Sequence, residues 1–158
     1  MKSNRPLDGV DLKMLDVLQS EGRISVVELA ERVNLSKSPC LQRLRRLEKD
    51  GYILGYRADL DPQKMAHGYL VYVQVTLENT SRRSLENFNA AVQEIPQILT
   101  CHMMSGGYDY ILKIRTADMS SYRELLGDVI SVLPGVNNTS TYPVMEEVKD
   151  TTSFLVVE

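Results

Sequence analysis

Six cations fall between residues 32 and 49: Arg32, Lys37, Arg43, Arg45, Arg46 and Lys49. One acid, Glu48, stands against them, a local balance of +5. Residues 62–158 hold seven basic and eleven acidic side chains, a balance of −4, and the whole chain has 18 basic and 21 acidic residues. A local basic surface on an otherwise acidic chain suits a polyanion, and the acidic remainder limits indiscriminate binding. At about 100° per residue, Ser38, Gln42, Arg45, Arg46 and Lys49 share the outward side of a helix, with Lys37, Pro39 and Arg43 beside them. These side chains suit DNA: Arg grips guanine edges or phosphate, Gln reads adenine, and Lys and Ser hold phosphate. The bland alternative is a solvated charged face that touches nothing.

A helix-turn-helix must present that face. Ser25 and Glu28 have the spacing of a capping box, and Leu29, Ala30 and Val33 follow on one helical side. Asn34 tolerates the left-handed conformation of a sharp exit. Ser36 is placed to cap the second helix, and Pro39 fits its first turn. Cys40, Leu41, Leu44 and Leu47 form the expected buried side. A preceding helix is predicted from Asp8 to near Gly22, with Val10, Met14, Leu15 and Leu18 inward, behind a short polar tail over residues 1–7. Gly51 ends the recognition helix. Residues 52–60 read as extended, a wing or a strand leaving the domain, and Asp61-Pro62 marks a turn.

The second half has another rhythm. Tyr69, Val71, Val73, Val75 and Leu77 alternate as one face of a strand. A helix follows with Leu85, Phe88, Val92 and Ile95 inward, stopped by Pro96. Strands are predicted over Ile98–Met104 and Tyr108–Arg115 around Ser105-Gly106-Gly107. A helix over Asp118–Leu133 and a strand over Thr139–Val148 complete the order β-α-β-β-α-β. That order predicts a ferredoxin-like (ACT-like) sandwich with both helices on one sheet face. The fold class is therefore α+β: a winged-type helix-turn-helix domain over 7–68, joined by an extended hinge to a βαββαβ domain over 69–158. Leu70, Tyr72 and Tyr142 with Val144, or Pro143 with Met145, put apolar groups on the uncovered face. That predicts association with a second copy, unless they are only scattered.

On its dipeptide alone Gly106-Gly107 reads best as a hairpin turn, and Met103 and Met119 read as core filler, the usual job of Met. Asp109 either binds an ammonium or satisfies turn N–H groups. No nucleophile–base pair, phosphate loop or metal-ligand spacing is present, so no catalytic residue, metal or cofactor is expected. Arg82 and Arg83 follow the first strand without the glycine cradle an acyl-phosphate hydrolase would need. Cys40 and Cys101 read as free thiols. The N-terminus lacks the apolar core of a secretory signal and no apolar run reaches bilayer length, so the expectation is a cytoplasmic chain without a membrane partner.

Four stretches make the chain resemble the Lrp/AsnC family: LDGVDLKMLDVLQSEGRIS, NLSKSPCLQRLRRLEKDGYILGY, CHMMSGGYDYILKIRTADMSSYRELLG and PGVNNTSTYPVMEEVKDTTS. They span nearly the whole chain, and the resemblance is strongest to the leucine-responsive branch. It implies a transcription regulator that binds double-stranded DNA and assembles as dimers, tetramers or octamers. It also implies a small amino-acid effector held between subunits. Carried over by position, the effector region falls on Met103, Gly106, Gly107, Asp109, Met119, Tyr142, Pro143 and Val144. Gly107 replaces an acid of that branch and Pro143 a β-branched residue, so the effector need not be leucine. An architectural DNA-organising protein without an effector is the alternative. Titration of defined and scrambled DNA, with and without amino acids, separates the two.

Overall fold

The computed structural model describes residues 6–156, so residues 1–5 of the expected polar tail and the last two residues lie outside the description. The chain divides into two compact units. One is Leu60–Val148; the other comprises the chain up to Asp59 together with the segment from Lys149 onward.

The N-terminal unit is three helices: α1 (Gly9–Ser20), α2 (Val26–Arg32) and α3 (Lys37–Lys49). Asp8 caps α1 by accepting the N–H groups of Val10 and Asp11, while the Asp11 carboxylate reaches back to the Asp8 N–H at 3.1 Å. Ser25 and Glu28 form the expected reciprocal box on α2. Asn34 takes the left-handed conformation (φ 55°) that turns the chain into α3. Ser36 precedes α3 but makes no side-chain capping bond, contrary to expectation. Gly51 (φ 82°) ends α3 in a Schellman motif: the Tyr52 N–H reaches the Leu47 carbonyl (3.0 Å) and the Gly51 N–H that of Glu48 (3.1 Å). The core is Met14, Leu29, Ala30, Val33, Cys40 and Leu47. Leu41, expected inside, is only half-buried. Residues 52–60 run without strand pairing.

The other unit is the expected sandwich. β1 (Tyr69–Leu77), α4 (Arg82–Gln93), β2 (Ile98–Met103), β3 (Tyr110–Thr116), α5 (Met119–Asp128) and β4 (Val136–Pro143) build one antiparallel sheet in the order β2-β3-β1-β4. Val71, Val73, Val75 and Leu77 pack with Tyr110, Leu112 and Ile114 against Phe88 and Val92 of α4 and Tyr122 and Leu125 of α5. The Phe88 and Tyr110 rings lie 4.4 Å apart. α5 and β4 depart most from the sequence reading. α5 stops at Asp128 and a short 3-10 turn, Ile130–Val132, replaces its expected last turn, burying Ile130 completely. β4 starts earlier, because Val136 pairs with Leu77 across a bulge at Thr76/Leu77, and it ends at Pro143, with one further backbone bond from the Val144 N–H to the Leu70 carbonyl.

The uncovered sheet face is mixed rather than apolar. The register places Tyr72, Gln74, Lys113, Ser140 and Tyr142 on it, and Leu70 is already buried within one chain. The Tyr142 hydroxyl donates to Gln74 Oε1 at 3.2 Å.

A candidate nucleic-acid interface and the ligand-site residues

α3 sorts its cations by helical position. Ser38, Gln42, Arg45 and Lys49 are all exposed, and their spacing of four, three and four residues makes one row about 16 Å long at 1.5 Å per residue. Lys37 and Pro39 are exposed at its start, where a recognition helix meets base edges. Among the described residues no carboxylate pairs with Lys37, Arg45 or Lys49.

Arg43 and Arg46 are turned inward. Asp11 on α1 is completely buried and sits between them. Arg43 Nη1 donates to Asp11 Oδ1 at 2.8 Å and to Asp8 Oδ1 and Oδ2 at 2.8 and 2.6 Å. Arg46 Nη2 donates to Asp11 Oδ2. The hydrogen bonds that Arg43 donates to Asp8, then that to Asp11, hold its guanidinium above its usual pKa. The expectation that Arg46 points to solvent is therefore corrected: its side chain is only 17% exposed. Arg32 is engaged too, in a two-armed ion pair with Glu21. Half of the six cations are thus paired with carboxylates. Sequence reasoning missed Asp8 and Asp11. The signal was present: Asp11 lies on the same helical row as Met14 and Leu18, and Arg43 falls between Cys40 and Leu47.

The eight ligand-site candidates do not meet within one chain. Met103, Gly106, Gly107 and Asp109 lie at the β2–β3 connection, where the Met104 N–H bonds the Asp109 carbonyl at 2.8 Å. Asp109 holds the end of β1: its Oδ2 accepts the Leu77 N–H at 2.7 Å, and its own N–H bonds the Val75 carbonyl at 2.9 Å. Met119 lies at the other end of β1, where the Tyr69 hydroxyl donates to its sulfur at 3.1 Å. Tyr142 pairs with Tyr72, and the Val144 N–H bonds the Leu70 carbonyl, so Tyr142, Pro143 and Val144 belong to the Met119 end. Eight strand steps of about 3.3 Å separate the ends by roughly 26 Å. Neither Gly106 nor Gly107 has a positive φ, and a Cβ added at either would meet nothing within 4 Å. A primed hairpin turn therefore does not explain them.

Met103 borders a cavity of about 310 Å³ with Asn89, Val92, Gln93, Cys101 and Tyr110. Burial pushes the Cys101 thiol up to about 11, which keeps it protonated. Cys40 and Cys101 are both free. Among the described residues there is no cluster of three potential metal ligands, and no helix is long and apolar enough to cross a membrane.

Comparisons with known proteins find a separate family for each part of the chain. The Lrp/AsnC ligand binding domain family matches residues 70–154, and a winged helix-turn-helix DNA-binding family matches residues 7–53. The proline dehydrogenase transcriptional activator of Rhizobium radiobacter is 50% identical over 145 residues, covering 92% of this chain and 93% of that protein. The leucine-responsive regulatory protein of Haemophilus influenzae is 50% identical over 157 residues, covering 99% and 94%. A crystal structure of a transcriptional regulator from Neisseria meningitidis in complex with L-Met superposes with a TM-score of 0.90 at 37% identity, covering 95% of this chain and 97% of that one.

Proposed function

Since the chain belongs to the Lrp/AsnC family of transcriptional regulators, we propose that it reads double-stranded DNA through α3 and adjusts that binding to a small amino acid held between subunits. The exposed row Ser38, Gln42, Arg45 and Lys49 carries the DNA reading: it pairs donors and acceptors for base edges with cations that no carboxylate neutralises among the described residues. Lys37 and Pro39 begin the contact, while Arg43 and Arg46 set the angle of α3 from behind. Fluorescence anisotropy with defined and scrambled duplexes tests this. Equal affinity for both, unaltered by any amino acid, would leave only a DNA-organising role.

The effector reading rests on the separation of the eight candidates. One chain keeps them in two groups at opposite sheet ends, so a site using all of them needs two chains. A symmetric assembly in which one end of a subunit meets the other end of its neighbour completes such a site. Gly106 and Gly107 then have a reason that one chain lacks: backbone amides without a Cβ admit a carboxylate or a neighbouring chain at close range. Met103 and Met119 suit varied apolar side chains, and the L-Met held by the Neisseria relative is of that kind. Tyr142, Pro143 and Val144 line the second half. Light scattering on the full chain at micromolar concentration should give a multiple of the 17.9 kDa monomer mass. A monomer would remove the shared site.

Asp109 separates structural from ligand roles. Its Oδ2 is occupied by the Leu77 amide, and an incoming ammonium would be received by Oδ1. Asp109→Ala should keep DNA affinity, lose the amino-acid response and cost about 1 kcal/mol through the stranded Leu77 amide. Asp109→Asn keeps an acceptor for that amide but removes the charge. It should lose the response at little cost in stability. If the Asn variant responds normally in calorimetry and DNA titration, Asp109 only fastens β1.

A further inference from the structure

Beyond β4 the chain makes contacts at Val144, Glu147 and Phe154, among others. Glu147 places both carboxylate oxygens on Arg115 Nη2 at 2.8 and 2.7 Å, on the sheet of the ligand-binding unit. From Lys149 onward the segment belongs to the DNA-binding unit. There the side-chain amide of Gln19, on α1, closes on the backbone of Phe154. Its Nε2 donates to the Phe154 carbonyl at 3.0 Å and its Oε1 accepts the Phe154 N–H at 3.0 Å. An amide that donates to and accepts from one residue reproduces the pairing of a neighbouring strand. The segment also borders an apolar groove of about 480 Å³, with Leu12, Leu15 and Leu18 of α1 and Leu54 among its other walls. Phe154 and Leu155 remain 75% and 82% exposed, so the docking is shallow.

We propose that residues 144–156 form a releasable strap through which the ligand site acts on the recognition helix, an inference that rests on the function proposed above. The strap begins at Val144, directly after Tyr142 and Pro143 at one half of that site. It ends on Gln19 of α1. The same helix carries Asp11, which holds Arg43 and Arg46 of α3. A shift of β4 on ligand binding thus has a path to α1, covalent along the strap and hydrogen-bonded at Gln19, and α1 sets the seat of α3. A ligand works this strap only by binding its docked and released states unequally. Continuity of contacts is not itself coupling, so coupling is what must be measured.

The test uses the full chain with Gln19→Ala and Gln19→Glu, and L-leucine and L-methionine as probes. Hydrogen exchange at residues 152–156 should run about tenfold faster in Gln19→Ala, while the sheet keeps its protection. Its DNA affinity without amino acid should stay within about threefold of the parent, and the change in affinity caused by amino acid should shrink at least about fivefold. Gln19→Glu keeps the acceptor for the Phe154 N–H and loses the donor, so it should fall between the two. Unchanged exchange in Gln19→Ala overturns the docking. Faster exchange with a full amino-acid response overturns the transmission. Calorimetry on the parent chain identifies the other failure: if it binds neither amino acid, the effector reading falls and this inference falls with it.

Discussion

Asp11→Ala is expected to unfold the DNA-binding unit and abolish DNA binding while leaving the sheet domain intact. The carboxylate is fully buried and satisfies Arg43, Arg46 and the Asp8 N–H. Removing one partner of a buried charge network typically costs 3–5 kcal/mol, roughly, because the remaining charges stay desolvated without compensation. A unit of some sixty residues has only about 3–9 kcal/mol to lose. Calorimetric unfolding should show the helical transition collapse and the other persist. Arg46→Ala should follow the same pattern more mildly, since Arg43 still reaches Asp11. The competing view makes Arg43 and Arg46 DNA contacts. On that view Asp11→Ala frees two cations, raises affinity and steepens the salt dependence, an outcome that would sink the structural assignment. Replacing Asp11, Arg43 and Arg46 together by apolar residues of similar volume should restore the fold, because no charge is then left stranded.

Arg45→Ala/Lys49→Ala should do the reverse: weaken DNA binding strongly and leave stability alone. Both side chains are exposed on α3 and lack a carboxylate partner among the described residues, so their removal should change stability by no more than about 0.5 kcal/mol. A bidentate base contact is worth about 1–3 kcal/mol. A phosphate contact adds about 0.9 to the steepness of log affinity against log salt. The double variant should therefore lose on the order of a hundredfold in affinity for a specific site if Arg45 reads a base. Its salt slope should flatten by about 1.8 if both cations meet phosphate, and by about half that if one does. Unchanged affinity, at unchanged circular dichroism, would falsify the assignment of this row to DNA.

These opposite expectations for cations on one helix show how much of the site was legible beforehand. The helix-turn-helix was legible because its signals are local. Ser25 and Glu28 cap within one turn, Asn34 and Gly51 answer a backbone need at single positions, and Cys40, Leu44 and Leu47 repeat at the helical period. The sandwich was legible for a similar reason, since the alternation from Tyr69 to Leu77 and the helical rows around Phe88 and Tyr122 each specify one buried face. Element ends were less legible. The early start of β4 follows from a bulge opposite Leu77, and the break after Asp128 accompanies the burial of Ile130; both depend on partners distant in the chain.

The two-part plan, the basic helix, and the order of strands and helices were legible because short-range periodicity and capping chemistry encode them. Only the tertiary structure shows which cations of α3 turn inward and which stay exposed. Arg43 and Arg46 differ from Arg45 by one or two positions, yet Asp8 and Asp11, more than thirty residues away, draw the first two inward. It also decided that the ligand candidates split into two groups, since strand register sends Asp109 to Leu77 and Met119 to Tyr69. Side-chain ion pairs and sheet register are long-range choices. Local sequence names the residues able to make them, and packing selects the partner.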